Sequence, residues 1–233
     1  STLFPYTTLF RSPYSMPVSP VKIQRYGRPV RDILTTLLLN SRRPEEMRRN
    51  IDAVVAALTL GRTRMAEIAD VHGADGVRAA LAYTQDYAER HTRAAIKRWR
   101  NGEYKGERTL DHDCAGGGSV TVRVVTTVAE DEVTLDFGAS DDQLPSFINS
   151  SLGNTTSLAL LPVFVALGDH IPRNSGVLRA VHIKSRPGSI THAQLPAPVS
   201  WSQTHCGAEI VECVATALRS YMEIGRASCR ERV

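Results

Sequence analysis

Residues 119–137 read SVTVRVVTTVAEDEVTLDF, and this stretch decides the fold class. Valine or another apolar residue recurs at alternate positions, and such alternation in a β-branched run is typical of a half-buried strand. The segment Ala129–Asp131 interrupts the alternation, which resumes at Val133. Because the interruption is so short, it predicts a tight turn between two antiparallel strands. Residues 103–110 are also predicted to be a strand, so we expect a β-meander.

Helical patterns precede these strands. Apolar residues recur at helical spacing in residues 31–40, 44–71 and 76–99. Gly73 and Gly76 separate the last two segments, and glycines commonly punctuate helices. We therefore expect two long helices that are joined by a short link and lie antiparallel.

Mixed elements follow the strands. The pattern predicts a helix over residues 155–167, an extended stretch over residues 177–185 and a last helix over residues 203–221. Helices followed by strands and then by mixed elements are typical of an α+β fold. The predicted architecture is a long antiparallel helix pair, then a β-meander, then mixed α/β elements.

The two ends of the chain differ from the rest. Residues Thr2–Ser12 and Glu223–Val233 back-translate to opposite strands of one widely used sequencing adapter. We therefore expect residues 1–12 and 223–233 to be adapter-derived tails, which are set aside in reasoning about the fold. Residues 13–222 are then expected to be an internal fragment of a longer protein. Half of the formal net charge of +4 belongs to the tails.

Composition excludes several classes of protein. The most apolar run, residues 155–167, is interrupted by Pro162 and is shorter than the roughly 20 residues that a membrane-spanning helix needs. We therefore expect no membrane segment. The chain has four cysteines and no clustered pairs, which favours reduced thiols in a cytoplasmic protein over a secreted disulfide framework.

The run Asp111-His-Asp-Cys114 contains three types of metal ligand. Adjacent residues of a strand point to opposite faces, however, so only alternate members can converge on one ion. We interpret the run as a polar strand end. The glycines Gly116–Gly118 feed a strand rather than a helix and no lysine follows, so they predict a turn rather than a phosphate-binding loop.

Four polar residues are candidates for the wall of a pocket. Thr204 and His205 lie near the start of the last predicted helix, and Asn149 and Asn174 lie in predicted loops. Cys206 could become nucleophilic at a helix N-terminus. Cys213 lies two turns later on the same helix face, which favours packed thiols for both. The spacing of these residues defines no catalytic set, so the catalytic residues are left unassigned.

Residues 88–108 mix basic and aromatic side chains, which can bind nucleic acid. Acidic residues interrupt the run, among them Glu89 and Glu103. We therefore favour a solvated helix face or a subunit contact, and keep a binding module that uses a basic helix over residues 88–108 as an alternative.

Several stretches together resemble one family, the hydantoinase B and 5-oxoprolinase family. The resemblance covers nearly all of residues 14–222. The stretches that carry it are Pro20-Val-Lys-Ile23, Asn40-Ser-Arg-Arg-Pro-Glu45, Val71-His-Gly73, Asp86-Tyr-Ala-Glu-Arg90, Gly102-Glu-Tyr-Lys-Gly-Glu107, Val133-Thr-Leu-Asp-Phe137, Ile148-Asn149, Ile171-Pro-Arg-Asn-Ser-Gly176, Pro187-Gly-Ser189 and Pro196-Ala-Pro-Val199.

The resemblance implies a subunit of an ATP-dependent enzyme that hydrolyses a cyclic amide such as a hydantoin or 5-oxoproline. It implies a hydantoinase A-like partner that binds ATP, and a divalent metal in the parent complex. In the related acetone and acetophenone carboxylase subunits, which are the alternative, an upstream segment absent from this sequence holds the metal. We therefore expect the fragment to bind neither a metal nor a cofactor itself, and to be inactive alone.

Overall fold

The structure is a computed structural model. It describes residues 20–41, 43–113, 117–199, 204, 206–219 and 221. Both predicted tails lie outside the described residues, so their adapter origin stays a prediction. The chain divides into two compact units, with the boundary between Tyr83 and Thr84.

The first unit contains a small hairpin and two helices. Its elements are β1 (Gln24–Arg25), β2 (Arg28–Pro29), α1 (Arg31–Leu39) and the first part of α2 (Pro44–Ile96). Strands β1 and β2 pair antiparallel through a turn at Tyr26 and Gly27. Both turn residues have positive φ, as the tightest hairpin turns require.

The two helices expected over residues 44–99 are present within α2. Helical structure runs from Pro44 to Ile96 and is interrupted at Gly73, whose φ of 73° and ψ of 153° lie outside helical geometry and kink the chain. Glycine adopts positive φ without a steric penalty, so the expected link is reduced to this residue. The apolar stripe expected to be buried is exposed at Leu58 and Met65. The antiparallel packing of the two helices stays a prediction.

The second unit is built on a four-stranded sheet. Its elements after α2 are β3 (Gly102–Leu110), β4 (Val120–Ala129), β5 (Glu132–Asp136), α3 (Leu152–Leu167), β6 (Val181–Lys184) and α4 (Gly207–Leu218). Strands β3, β4 and β5 form the predicted antiparallel meander, and β6 adds parallel to β5. The stretch expected to be extended over residues 177–185 begins instead with a short 3-10 helix, Val177–Arg179. The predicted α+β class is confirmed.

The core lies between the sheet and the helices α3 and α4. It contains the alternating valines of β4 together with Leu135 and Phe137, and α4 contributes Ile210 and Val214. Helix α4 packs on β3 and β4 and also contacts α3. At Gly106 of β3 the helix backbone comes so close that an added Cβ would lie 2.0 Å from the carbonyl oxygen of Cys213.

Ion pairs fasten the end of α2 to the sheet. The guanidinium of Arg93 contacts Glu89 at 3.0 Å, Asp131 at 3.2 Å and Glu132 at 2.9 Å, and it donates a hydrogen bond to the carbonyl of Arg179 at 2.9 Å. One arginine thereby joins the helix, the β4–β5 turn and the segment before β6.

Candidate functional site

Asn149 is fully buried in the loop before α3. Its Oδ1 accepts from the backbone N–H of Leu144 at 2.8 Å, and its Nδ2 donates to the carbonyls of Leu144, Ser146 and Pro198 at 2.9, 2.6 and 2.8 Å. Because its buried amide makes four hydrogen bonds to backbone groups, Asn149 holds the loop together and ties it to Pro198.

A second set of contacts binds the same two loops. The backbone N–H of Ser150 donates to the carbonyl of Ile190 at 2.7 Å, and Ala193 donates back to the carbonyl of Ser150 at 2.9 Å. The buried hydroxyl of Thr155 bonds to Ser150 at 3.0 Å and to the carbonyl of Thr191 at 2.6 Å. Buried polar groups that are paired in this way hold a single geometry. These bonds thus join the start of α3 to residues 190–193.

Helix α4 begins at Gly207. Thr204 is exposed, and Cys206, which precedes the helix, is buried with φ 62°. The predicted residue His205 lies outside the described residues. The exposure of Thr204 is compatible with a pocket wall.

Glu209, in the first turn of α4, was missed by the sequence analysis. Its Oε2 is buried and has no hydrogen-bond partner among the described residues. A carboxylate is favoured near a helix N-terminus because the helix dipole is positive there. An acidic residue in a first turn is common, so only the burial of its oxygen distinguishes Glu209. Glu209 thus offers an acceptor that no described residue uses, five residues after Thr204 in the sequence.

Asn174 lies in a different part of the second unit. Its Nδ2 donates to the carbonyl of Thr84 at 3.0 Å, and its Oδ1 accepts from the backbone N–H of Gly176 at 2.8 Å. The residue thus fastens its loop to α2. Asn149 and Asn174 share no hydrogen-bonding partner among the described residues, so the structure does not bring the two asparagines into one site.

The two described cysteines are packed thiols. The Sγ of Cys206 donates to the carbonyl of Ile190 at 3.7 Å, and that of Cys213 to the carbonyl of Val122 at 3.2 Å. Burial raises the pKa of the Cys213 thiol to about 12, and burial, with Glu209 nearby, raises the pKa of the Cys206 thiol further. Neither group supplies a thiolate at neutral pH.

The predicted metal-like run begins directly after β3, which ends at Leu110, as expected of a polar strand end. Asp113 is buried, and its Oδ1 accepts from the backbone N–H of Gly117 at 2.9 Å. Cys114 lies outside the described residues. Among the residues that the structure does describe, no group of three or more histidine, cysteine or acidic side chains could hold a metal ion. These residues therefore do not fit the metal that the family resemblance implies.

The basic stretch over residues 88–108 is not one helix. Helix α2 ends at Ile96, and β3 begins at Gly102. Within the stretch, Arg93 is held by its ion pairs, and Arg108 contacts Glu212 at 2.9 Å. The basic helix proposed as a binding module is thus corrected to a helix end, a corner and a strand, in which Arg93 and Arg108 bind neighbouring elements.

Two cavities among the described residues lie away from the predicted residues. One of about 330 Å³ lies in the first unit between the hairpin, α1 and the start of α2, with Leu34 and Ile51 among its lining residues. An open one of about 680 Å³ lies at the corner after α2, beside Trp99. Neither is lined by Asn149 or Thr204. No helix in the described parts of the chain has the length and apolar character that a membrane span requires.

Comparison with solved structures supports the fold. The crystal structure of an ATP-dependent caprolactamase from Pseudomonas jessenii matches with a TM-score of 0.81 and 29% identity, covering 88% of this chain and 36% of that one. A nucleotide-free acetone carboxylase structure matches with a TM-score of 0.78 over 93% of this chain and 30% of that one. Its identity is 16%, so that likeness shows the fold alone.

Comparison with sequences gives the family. The caprolactamase subunit beta of Pseudomonas jessenii is 30% identical over 207 residues, covering 88% of this chain and 35% of the relative. The chain thus spans about a third of the length of this curated relative. The family model for hydantoinase B/oxoprolinase matches residues 15–231. With that match over most of its length, the chain belongs to the hydantoinase B/oxoprolinase family.

Proposed function

We propose that this chain is part of a subunit of an ATP-dependent hydrolase that opens a cyclic amide of the hydantoin or 5-oxoproline type. The observation that carries the proposal is the family match over residues 15–231. The likeness to a protein named an ATP-dependent caprolactamase supports it, since caprolactam is also a cyclic amide. The thiols that stay buried and unpaired suit a cytoplasmic enzyme.

The proposed enzyme needs a second, ATP-binding subunit of the hydantoinase A type. The family resemblance implies that this partner binds ATP, and the glycine run Gly116–Gly118 lacks the following lysine of a phosphate-binding loop. ATP cleavage there, or across the subunit boundary, would activate the amide carbonyl as a phosphorylated species, and water would then open the ring. The chain described here supplies scaffold and one wall of the cleft.

We place that wall at the start of α4. Asn149 holds the carbonyl of Pro198, which precedes Thr204 by six residues in the sequence. The Oε2 of Glu209, which has no hydrogen-bond partner among the described residues, suits the ring N–H of a cyclic amide, because a buried carboxylate oxygen gains most from a hydrogen-bond donor. Asn149 acts as a positioning residue in this scheme, and Asn174 supports the fold elsewhere.

The first experiment compares the purified chain with the holoenzyme that contains its sequence and the ATP-binding subunit. Hydantoin, 5-oxoproline and caprolactam are offered with ATP, and both phosphate release and the ring-opened product are measured. We expect no product from the chain alone, and ring opening coupled to ATP cleavage in the holoenzyme. Steady ring opening by the chain alone, or without ATP, would refute the proposal.

The second experiment tests the site in the holoenzyme. Glu209→Gln keeps the size of the side chain but removes its charge, and Glu212→Gln makes the same change one turn later, where the carboxylate contacts Arg108 instead. We expect Glu209→Gln to lower kcat/KM by about tenfold or more, as the loss of one charged hydrogen bond does. Equal rates for the two variants would remove Glu209 from the site.

The same assay distinguishes the alternative reaction. A subunit of the carboxylase type would incorporate labelled bicarbonate into its product, whereas a hydrolase incorporates oxygen from water. If bicarbonate is incorporated and no ring is opened, the function is carboxylation rather than hydrolysis.

A further inference from the structure

A seven-residue apolar repeat runs along the part of α2 that belongs to the first unit. Its positions alternate at spacings of four and three residues, and they are Met47, Ile51, Val54, Leu58, Gly61, Met65, Ile68 and His72. Such spacing forms the seam of a coiled coil, in which two positions of each heptad, a and d, face another helix. In this register Leu58 and Met65 occupy a positions, and Val54 and Ile68 occupy d positions.

The seam is half-buried at Met47 and Ile51 and exposed from Val54 onward. The exposed fractions are 56% for Val54, 69% for Leu58, 45% for Met65 and 47% for Ile68. A single exposed apolar residue is ordinary on a protein surface. A row of four on one helix face, at coiled-coil spacing, indicates a surface that binds another helix.

The flanks of the seam carry positive charge. The e and g positions border a coiled-coil seam. From Arg48 to Val71 these positions include Arg48, Arg62 and Arg64 and contain no acidic residue. Arg64 contacts Glu67 at 2.8 Å, an exposed pair that is worth little, and no ion pair to Arg48 or Arg62 is found among the described residues. Because e and g charges select the partner helix, these flanks favour one with acidic residues there.

The other described helices of this chain cannot fill that role. Helices α1, α3 and α4 have 9, 16 and 12 residues, too few to cover three heptads. A second copy of the chain would present arginines at the same flanking positions. Neither the other described helices nor a second copy therefore supplies the acidic flanks that this seam favours.

We infer that residues 47–72 form a docking surface for an amphipathic helix of a partner protein, with apolar a and d positions and glutamate or aspartate at e and g. The inference concerns a face of α2 far along the chain from the start of α4. It does not depend on the proposed reaction, and its failure would leave that reaction unaffected.

The chain itself provides a gap in the seam that sharpens the test. Gly61 occupies a d position, and no heavy atom lies within 4 Å of the place where its Cβ would stand. A leucine there would complete the seam without meeting a neighbour in this structure. Gly61→Leu should therefore strengthen partner binding, which a purely structural role for this helix does not predict.

The experiment uses the full chain and two synthetic four-heptad peptides with leucine at a and d. One peptide carries glutamate at every e and g position, and the matched control carries lysine there. Binding is followed by fluorescence anisotropy of the labelled peptide at low and high salt. We expect the acidic peptide to bind, less tightly at high salt because salt screens the flanking charges, and the basic peptide not to bind.

Two variants separate the seam from the rest of the helix. Leu58→Glu places a charge in the seam, and Leu60→Glu makes the same change at position c on the other side of the helix, where Leu60 is 58% exposed. We expect Leu58→Glu to weaken peptide binding by about tenfold or more, since a buried leucine is lost. We expect Leu60→Glu to leave binding within about twofold and Gly61→Leu to tighten it by about threefold or more.

Three results would overturn the inference. Equal binding of the acidic and basic peptides would remove the charge argument, and equal effects of Leu58→Glu and Leu60→Glu would remove the seam. A stable dimer of the chain by light scattering, dissociated by Leu58→Glu and not by the acidic peptide, would show that a second copy covers this face. Circular dichroism of each variant confirms that these exposed substitutions leave the helix folded.

Discussion

Replacing Gly106 by alanine tests how closely α4 approaches the sheet. Gly106 lies in the middle of β3, paired with Val124 of β4. The added Cβ would lie 2.0 Å from the carbonyl oxygen of Cys213, 2.7 Å from its carbonyl carbon and 3.1 Å from its Cα. These atoms belong to the backbone of a buried helix, so no side-chain rotation can relieve the contact. Either the helix or the strand must move.

The cost follows from this geometry. Overpacking a buried site costs roughly 1–3 kcal/mol, and a clash with backbone belongs at the upper end, so we expect about 3 kcal/mol. Moving α4 would also weaken the hydrogen bond from the Cys213 thiol to the carbonyl of Val122. For a protein of this size the melting temperature falls by about 2–4 °C per kcal/mol, so Gly106→Ala should lower it by about 6–12 °C.

Thermal unfolding of the full chain, followed by circular dichroism, measures the effect. Gly118→Ala is the matched control, because its added Cβ meets no atom within 4 Å and its backbone has no positive φ. We expect the control to melt within about 2 °C of the original chain, as surface substitutions do. If Gly106→Ala melted at the temperature of Gly118→Ala, the close packing of α4 on β3 would be refuted.

Two further predictions concern ionisable groups. Hydrogen bonds from Arg179 and Arg93 lower the pKa of Glu89, and those from Arg93 and His182 lower the pKa of Glu132. The unfolded chain then binds more protons than the folded one just below the ordinary glutamate pKa of 4.5, so stability is present above that pH and is lost as pH falls below it. Arg93→Met should flatten this acid limb in urea unfolding measured from pH 7 to pH 3, and an unchanged limb would contradict the role of the ion pairs. Because burial raises the pKa of Cys213 to about 12 and that of Cys206 further, neither should react with iodoacetamide at pH 8 in the folded chain, whereas both should react in urea. Peptide mass spectrometry locates the modified cysteines, and rapid labelling of Cys213 without urea would show that the thiol is accessible.

The strands of the meander were predictable because their signal is local. Alternation of apolar and polar residues gave β4 and β5, which span Val120–Ala129 and Glu132–Asp136. The acidic turn between them was also predictable, because the few residues of a tight connection specify it by themselves. Likewise, Cys206 and Cys213 were correctly interpreted as packed thiols because they share one face of a helix.

The candidate site was predicted less well because its contacts join distant parts of the chain. Asn149 stood out as a loop asparagine, but its role depends on the carbonyl of Pro198, which no pattern around Asn149 reveals. Glu209 escaped attention because an acidic residue in a first helical turn is ordinary. Glu209 differs from such a residue only because its Oε2 is buried and has no hydrogen-bond partner among the described residues.

The sequence alone determined the order of helices and strands, the meander and the family, because each depends on neighbouring residues or on their order along the chain. The tertiary structure decided which apolar faces are covered. The stripe through Leu58 and Met65 has the same helical spacing as a buried one, yet it is exposed, whereas Gly106 and Cys213 meet although they lie far apart in sequence. Periodicity fixes which side of an element is apolar, but burial requires a second surface, and the identity of that surface is a property of the folded chain and its partners.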